Sequence, residues 1–494
     1  MNTNSVTSKV PAAELRPEDE KLGLGANLAY GLQHVLTMYG GIVAVPLIVA
    51  EAAGMSAADA GLLITACLFM GGVATLLQTL GIPFFGSRLP LVQGVSFAGV
   101  ATMVSILQTG GGLPGILGAV MASAVLGLLI APVFSKVTRF FPPLVNGCVI
   151  TVIGMSLIPV AAHWAMGGNA KAADYGSMSN IALAGISLVI VLALSKVGSA
   201  AISRLSILLS IVLGTLVAVF MGKADFSRVA EGAWFAIPTP MQFGMPTFNT
   251  AAILSMFIVI LVILVETSAD VLAVGDIVGT PVDSRRLGDG LRADMLSSIV
   301  APVFGAFTQS AFAQNVGLVA VTGVKSRYVV AYSGLILIAL GVLPIMGRVV
   351  ACVPPSVLGG AGLVLFGTVA ASGIRTLSKV EYNNNMNLIV VAASIGAGLI
   401  PVVAPKFYAQ FPDWFATIFH SGISATALVA IVLNLAFNHF KEGNSDQQSV
   451  FVAGTDRTLS AHVLACLYDG DQVIDGKLYD KEGNLVPIAV AHAH

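Results

Sequence analysis

Residues 312–323 read FAQNVGLVAVTG and lie between two strongly apolar regions. They carry Gln314, Asn315 and Thr322 where a membrane helix would normally carry Leu or Val. Lipid offers no partner to an unpaired N–H or C=O group, so irregular backbone at membrane depth survives only where protein buries it or it lines a cavity. A second stretch, VQGVSFAGVATMVSIL at 92–107, is too short and too rich in Gly for an ordinary spanning helix. Two such segments in one chain point to a pore or a substrate site.

The surrounding chain has a membrane composition. Of its 494 residues 56% are hydrophobic and only 10% charged, against about a quarter charged in soluble domains. Apolar stretches of spanning length fall near 27–50, 60–80, 113–134, 144–165, 181–197, 199–222, 251–276, 294–309, 329–347, 355–373, 386–403 and 420–438. Those twelve, with the two broken segments at 92–107 and 312–325, give an all-α polytopic membrane protein of fourteen spans. With both termini inside, only Lys171, Lys223, Arg228, Arg348 and Lys406 of the 24 basic residues fall outside. That is the bias the positive-inside rule requires, and removing either broken segment spoils it.

Other classes drop out. A net charge of −1 with singly scattered Lys and Arg leaves no footprint for nucleic acid. Cys67, Cys148, Cys352 and Cys466 are isolated, with neither metal spacing nor a disulfide framework. The polar N-terminus lacks the short apolar core of a signal peptide, so insertion relies on the first span. The polar tail at 441–494, where DGDQVIDGKLYDKEGN patterns as a small hairpin, is expected to be cytoplasmic and loosely packed. There is no nucleophile elbow, Walker motif, His-Glu-x-x-His or paired Cys, so an enzyme is not expected, nor a cofactor or a metal. Energy for uphill movement would come from an ion gradient.

The chain also resembles itself. QGVSFAGV from Gln93 matches the placement of QNVGLVAV from Gln314, and FPPLVNG at 141–147 matches VPPSVLG at 353–359. These are the third and tenth, and the fifth and twelfth, spans, so each pair is offset by seven. An odd offset means that the two halves face opposite ways, the pattern of a secondary transporter with its site near the midplane.

Ionisable residues inside spans are costly and are functional candidates by default. His34 lies in the first span, Glu266, Asp270 and Asp276 in the eighth, and Asp294 at the head of the ninth. Glu266 and Asp270 are four apart and share a helix face, with no intramembrane cation evident as partner. Desolvation favours the neutral form of an unpaired carboxyl, which is what proton coupling needs. Asp276 reads as an interface residue; for His34 a structural and a proton-carrying role both stand, and for Asp294 a capping role stands beside a functional one.

At this point the residues resemble the nucleobase-ascorbate transporter family. QNVGLVAVTG at 314–323 is similar to its signature, and QHVLTMYGG at 33–41, QGVSFAGV at 93–100 and ETSAD at 266–270 are similar to its first, third and eighth spans, over about residues 24–440. The resemblance implies two inverted sevens, a homodimer in the inner (plasma) membrane and an elevator movement. A core domain would comprise 24–135 and 246–348 (spans one to four and eight to eleven), and a gate domain 136–245 and 349–440 (spans five to seven and twelve to fourteen), with tails at 1–23 and 441–494. Members similar to this sequence import xanthine or uric acid with a proton.

Carried over by position, Glu266 would accept hydrogen bonds from purine ring N–H groups and Gln314 would read the opposite edge. Phe97 and Phe312 would bracket the ring, with backbone N–H groups near Phe97 and Ala313 contacting the carbonyls. Asn315 would brace the motif, Asp294 would serve proton coupling, and His34 would support the geometry of the site. Val316 departs from the common Gln-Asn-Asn-Gly form and Gly323 from the Arg of fungal members. Asp270 resembles the xanthine-selective pattern, while the small Ser96 would leave room for the extra oxygen of urate. Uracil is the alternative substrate, and an anion carrier of related architecture the alternative class.

Overall fold

The computed structural model describes residues 16–134, 142–197, 199, 202–203, 205–227, 229, 234–382, 385–439, 472–474, 477–482 and 486. Among the described residues, eight of the twelve expected full spans are helices long and apolar enough to cross a membrane. They are α1 (Leu24–Ala52), α2 (Ala57–Leu80), α4 (Gly112–Ile130), α5 (Pro143–Ala165), α6 (Met178–Val197), α8 (Thr250–Val278), α13 (Pro355–Leu377) and α14 (Asn385–Val403). The other four depart from the expectation. α7 (Ser206–Phe220) and α16 (Gly422–Asn434) are shorter, and α11 (Arg327–Gly341) bends by 79° into α12 (Pro344–Ala351) at a Pro that cannot continue the ladder. Helix α9 is Ser284–Val300 rather than 294–309; it starts in the polar run SRRLGDGLRAD because Asp283 caps it, accepting the Arg286 N–H at 2.7 Å. A short α15 (Asp413–Phe419) precedes α16.

The two anomalous stretches become strand followed by short helix. β1 (Gln93–Val95) leads through a turn at Phe97–Gly99 into α3 (Val100–Gln108), and β2 (Gln309–Ala311) leads into α10 (Ala313–Thr322). The second element therefore begins three residues earlier than the motif. The internal match also shifts register: Gln93 opens β1 and Gln309 opens β2, while Gln314 lies in the first turn of α10. The strands pair antiparallel, Gln93 with Ala311, Gly94 with Ser310 and Val95 with Gln309.

The other internal match sits where the sequence put it. Pro143 and Pro355 are the first residues of α5 and α13, each 23 residues long, where a missing N–H costs nothing. These helices pack antiparallel along their length through small residues, Gly147 against Leu377, Thr151 against Gly373, Gly154 against Ala370 and Ala165 against Gly359. Close backbone approach of this kind drives helix association where lipid removes the hydrophobic contribution. The remaining packing is reciprocal: α2 lies on α11 as α9 lies on α4, and α1 lies on α11 as α8 lies on α4.

At one end, the N-terminal turn Pro17–Asp19 straps the bundle. Glu18 is buried and bound by Arg286 at 2.6 Å, and Asp19 by Arg327 at 2.6 Å. Arg286 also donates to the Ser87 carbonyl (2.7 Å) and Arg292 to that of Phe84 (2.9 Å). At the other end of α1, Glu51 accepts from Trp164 Nε1 and faces His163 Nε2 at 3.0 Å, with Tyr175 on the far ring nitrogen at 2.6 Å. A separate unit comprises 382–386 with 444–494; within it β3 (Gln472–Ile474) and β4 (Lys477–Tyr479) form the antiparallel hairpin that the sequence pattern indicated.

Candidate functional site

The ribbon β1–β2 is held at both ends by backbone bonds beyond the strands, Ser96 N–H to Thr308 O (2.9 Å) and Phe312 N–H to Val92 O (3.0 Å). Its two opening residues are pinned sideways in the same way. Thr75 Oγ1 on α2 accepts the Gln93 N–H at 2.9 Å, and Ser298 Oγ on α9 accepts the Gln309 N–H at 2.8 Å. Each half thus staples its own strand to its own second helix with one hydroxyl. Because both strands turn directly into helices, the first-turn N–H groups of α3 and α10 flank the ribbon, and helix N-termini carry partial positive charge.

Phe312 is buried and stands immediately before α10, and the half-buried Phe97 opens the turn before α3. Both rings converge on α1 at Gly41: a Cβ there would lie 2.8 Å from Phe312 Cε1 and 3.5 Å from Phe97 Cε2. Ala313 and Gln314 are exposed on the open side of α10, whereas Asn315 points inward and is buried. Thr322 donates to the Leu318 carbonyl at 2.8 Å, so its polarity is met within its own helix. Gly323 ends α10 in the left-handed region (φ 66°), which accounts for glycine at that position.

Helix α8 lies against β2, α10, α3 and the Phe97 turn. It brings half-buried Glu266 and Asp270 to that junction, with Asp270 in electrostatic reach of both Glu266 and Asp294. Among the described residues no ion pair reaches these three carboxyls, and no cluster of His, Cys, Asp and Glu is placed to hold a metal. Asp294 is not at the head of its helix: it lies well inside α9, buried, with Thr267 Oγ1 of α8 donating to its Oδ2 at 2.6 Å. Its Oδ1 has no protein partner, and the capping role belongs to Asp283. Thr267 Oγ1 also receives the Ala311 N–H at 3.4 Å, which links the carboxyl to the ribbon. Asn315 Nδ2 donates to the carbonyl and to Nδ1 of buried His34, each at 3.0 Å. Ser96 is buried and its Oγ accepts the Ala98 N–H at 3.2 Å, so its hydroxyl caps the turn before α3.

Sequence reasoning missed Thr75, Thr267, Ser298 and Gly41. Lone hydroxyls and glycines in apolar helices carry no pattern; only their spacing from the motifs, once folded, gives them meaning.

Fold and site define a polytopic helical membrane protein built around a central two-stranded ribbon. Comparison with known proteins agrees. Residues 25–407 match the model of the Permease family. The uric acid transporter UacT of Escherichia coli is 41% identical over 446 residues, 89% of this chain and 92% of that one. The xanthine permease of Bacillus subtilis is 39% identical over 87% of this chain and 98% of its own. The chain belongs to this permease family, the nucleobase-ascorbate transporters. Among solved structures, the transmembrane domain of the cyanobacterial bicarbonate transporter BicA aligns with TM-score 0.54 at 14% identity, over 85% of this chain and all of that one. The murine solute carrier 26 family member A9 anion transporter aligns with TM-score 0.60 at 14% identity, over 85% of this chain and 69% of its own. These two share the fold.

Proposed function

We propose that this protein carries xanthine or uric acid across the cell's inner membrane together with a proton. The observation that carries the reading is the junction itself: Gln314 exposed on α10, unpaired carboxyls Glu266 and Asp270 on α8, and two aromatic rings beside a ribbon drawn from both halves. Oxidised purines present ring N–H donors beside carbonyl acceptors. Glu266 accepts from the N–H groups and the Gln314 amide pairs with the opposite edge. The helix N-termini flanking the ribbon favour the carbonyl oxygens, and Phe97 and Phe312 flank the ring face. The names of the relatives, a uric acid transporter and a xanthine permease, support the substrate class.

The proton resides on the carboxyl cluster. Asp294, tied to the ribbon through Thr267 and with one oxygen unpartnered, senses the site while Glu266 meets substrate. Fourteen spans in two inverted sevens are supported by the antiparallel ribbon and the reciprocal helix packing. A core of spans one to four and eight to eleven slides against a gate of five to seven and twelve to fourteen, as a homodimer. A cytoplasmic N-terminus is supported by the strap, which binds Arg286 and Arg327 beside the 81–92 loop that Arg286 and Arg292 also hold, all regions the charge bias puts inside.

Uptake of labelled xanthine and uric acid by cells expressing the protein, with and without a protonophore, tests the reading. Saturable uptake abolished by collapse of the proton gradient is expected. Absence of uptake, uptake indifferent to the gradient, or stronger competition by uracil than by xanthine overturns it in whole or in part.

A further inference from the structure

Gly41 on α1 and Gly94 on β1 hold opposite edges of the Phe312 ring. A Cβ at Gly41 would stand 2.8 Å from Phe312 Cε1, and one at Gly94 would stand 2.7 Å from Phe312 Cε2 and 2.9 Å from Met38 Cε. Carbon atoms pack at about 3.5–4.0 Å, so either methyl forces the ring to move by roughly 1 Å. Sideways escape is closed, since retreat from one glycine drives the ring into the backbone of the other. Gly41 also lies beside Phe97, whose Cε2 would be 3.5 Å from the same methyl. Neither glycine has a positive φ, and Gly41 is inside a helix where glycine is intrinsically unfavourable, so backbone conformation does not explain it.

We infer that Gly41 and Gly94 are specificity-determining positions: by leaving out a side chain on each edge of Phe312 they set the width of the slot between the Phe312 and Phe97 rings. This rests on the reading above, that the substrate ring lies at those phenyl groups. A slot widened by two missing methyls accepts a bicyclic purine; a methyl restored at either position tips Phe312 into it. The penalty falls on the two-ring ligand more than on a one-ring pyrimidine. One misfitting methyl group in an apolar pocket changes recognition by roughly tenfold or more.

The test is equilibrium binding of xanthine, uric acid and uracil to the purified full-length protein, alongside its thermal unfolding temperature. The proteins compared are wild type, Gly41→Ala, Phe312→Leu, which removes the ring atoms the methyl would meet, and the two combined. For Gly41→Ala we expect Kd for xanthine and uric acid to rise about tenfold relative to uracil; Phe312→Leu weakens purine binding on its own account, and adding Gly41→Ala to it is expected to cost little more. Should Gly41→Ala unfold, the double variant is expected to refold. Wild-type purine affinity in Gly41→Ala, or a Gly41→Ala penalty as large in the Phe312→Leu background as in the wild type, overturns the inference while leaving the substrate reading intact. Failure of the wild type to bind either purine overturns the reading itself, and the inference with it.

Discussion

The Asn315 side chain donates twice to His34, to the backbone carbonyl and to ring Nδ1, each at 3.0 Å. A carbonyl oxygen can only accept, so the amide nitrogen, and not its oxygen, must face His34. The same nitrogen then meets Nδ1 with a hydrogen, and Nδ1 must be the lone-pair nitrogen. The imidazole is therefore neutral, with its proton on Nε2; an imidazolium would set two donors against each other. Of the two roles the sequence left open, this geometry favours the structural one. His34→Asn, which keeps an acceptor near the Nδ1 position, is expected to accumulate labelled purine against a gradient as wild type does. His34→Leu, which strips Asn315 of that acceptor, should lower stability by about 1–3 kcal/mol. Loss of accumulation in a well-expressed His34→Asn protein would instead make the ring a proton carrier.

Gln314 and Glu266 separate affinity from coupling. Gln314 is exposed on α10 and makes its proposed bonds only to substrate. Gln314→Ala should therefore leave folding unchanged and weaken binding by about 1–3 kcal/mol, because purine polar groups lose their partners. Glu266→Gln should reach the membrane and fail to concentrate substrate. Competition binding and an accumulation assay check the two, and active accumulation by Glu266→Gln would remove that carboxyl from the mechanism.

Thr267 joins two parts of the site through one oxygen, donating to Asp294 Oδ2 at 2.6 Å and receiving the Ala311 N–H at 3.4 Å. Thr267→Val removes both bonds with little change of shape and leaves a buried carboxyl with neither oxygen paired. It should abolish gradient-driven uptake, whereas Thr267→Ser, which retains the hydroxyl, should restore most of it. Equal activity of Val and Ser at this position would show that the oxygen does not matter.

Much of this arrangement was legible in the sequence, for identifiable reasons. The membrane class follows from composition, and the starts of α5 and α13 follow from the Pro-Pro pairs, because proline at a first helical position is a local signal. FAQNVGLVAVTG and QGVSFAGV stood out because polarity is expensive in lipid. Their register did not: Gln93 and Gln314 look alike in sequence, yet strand pairing, a long-range property, sets Gln93 opposite Ala311 and makes Gln309, not Gln314, the residue that opens the second strand. Asp294 was read as the head of a helix because the polar turns before it mask the true start at Ser284. Hydroxyls such as Thr75, Thr267 and Ser298 were invisible, since Thr and Ser in membrane helices commonly bond their own backbone, as Thr322 does.

The ribbon staples give the last prediction. Ser298 Oγ accepts the buried Gln309 N–H at 2.8 Å, and Thr75 Oγ1 accepts the buried Gln93 N–H at 2.9 Å while donating to the Gly71 carbonyl at 2.7 Å. Both strands have three residues, too few to fix their own position, so each relies on the helix beside it. Ser298→Ala leaves one buried N–H without an acceptor, at a cost of about 1–3 kcal/mol. Thr75→Val should cost a similar amount, because the outgoing bond to Gly71 adds little within an already bonded helix. The displaced strand also carries the N-terminus of α10 or α3 with it, so substrate affinity should fall together with unfolding temperature. Ser298→Thr and Thr75→Ser, which keep the oxygen, should retain both. The two staples act on partner strands of one ribbon, so the double variant should lose less than the sum of the singles: once one strand has slipped, its partner has less to hold. Thermal unfolding and binding measured on the same four-protein cycle decide the matter, and strict additivity would mean that the two halves hold their strands independently.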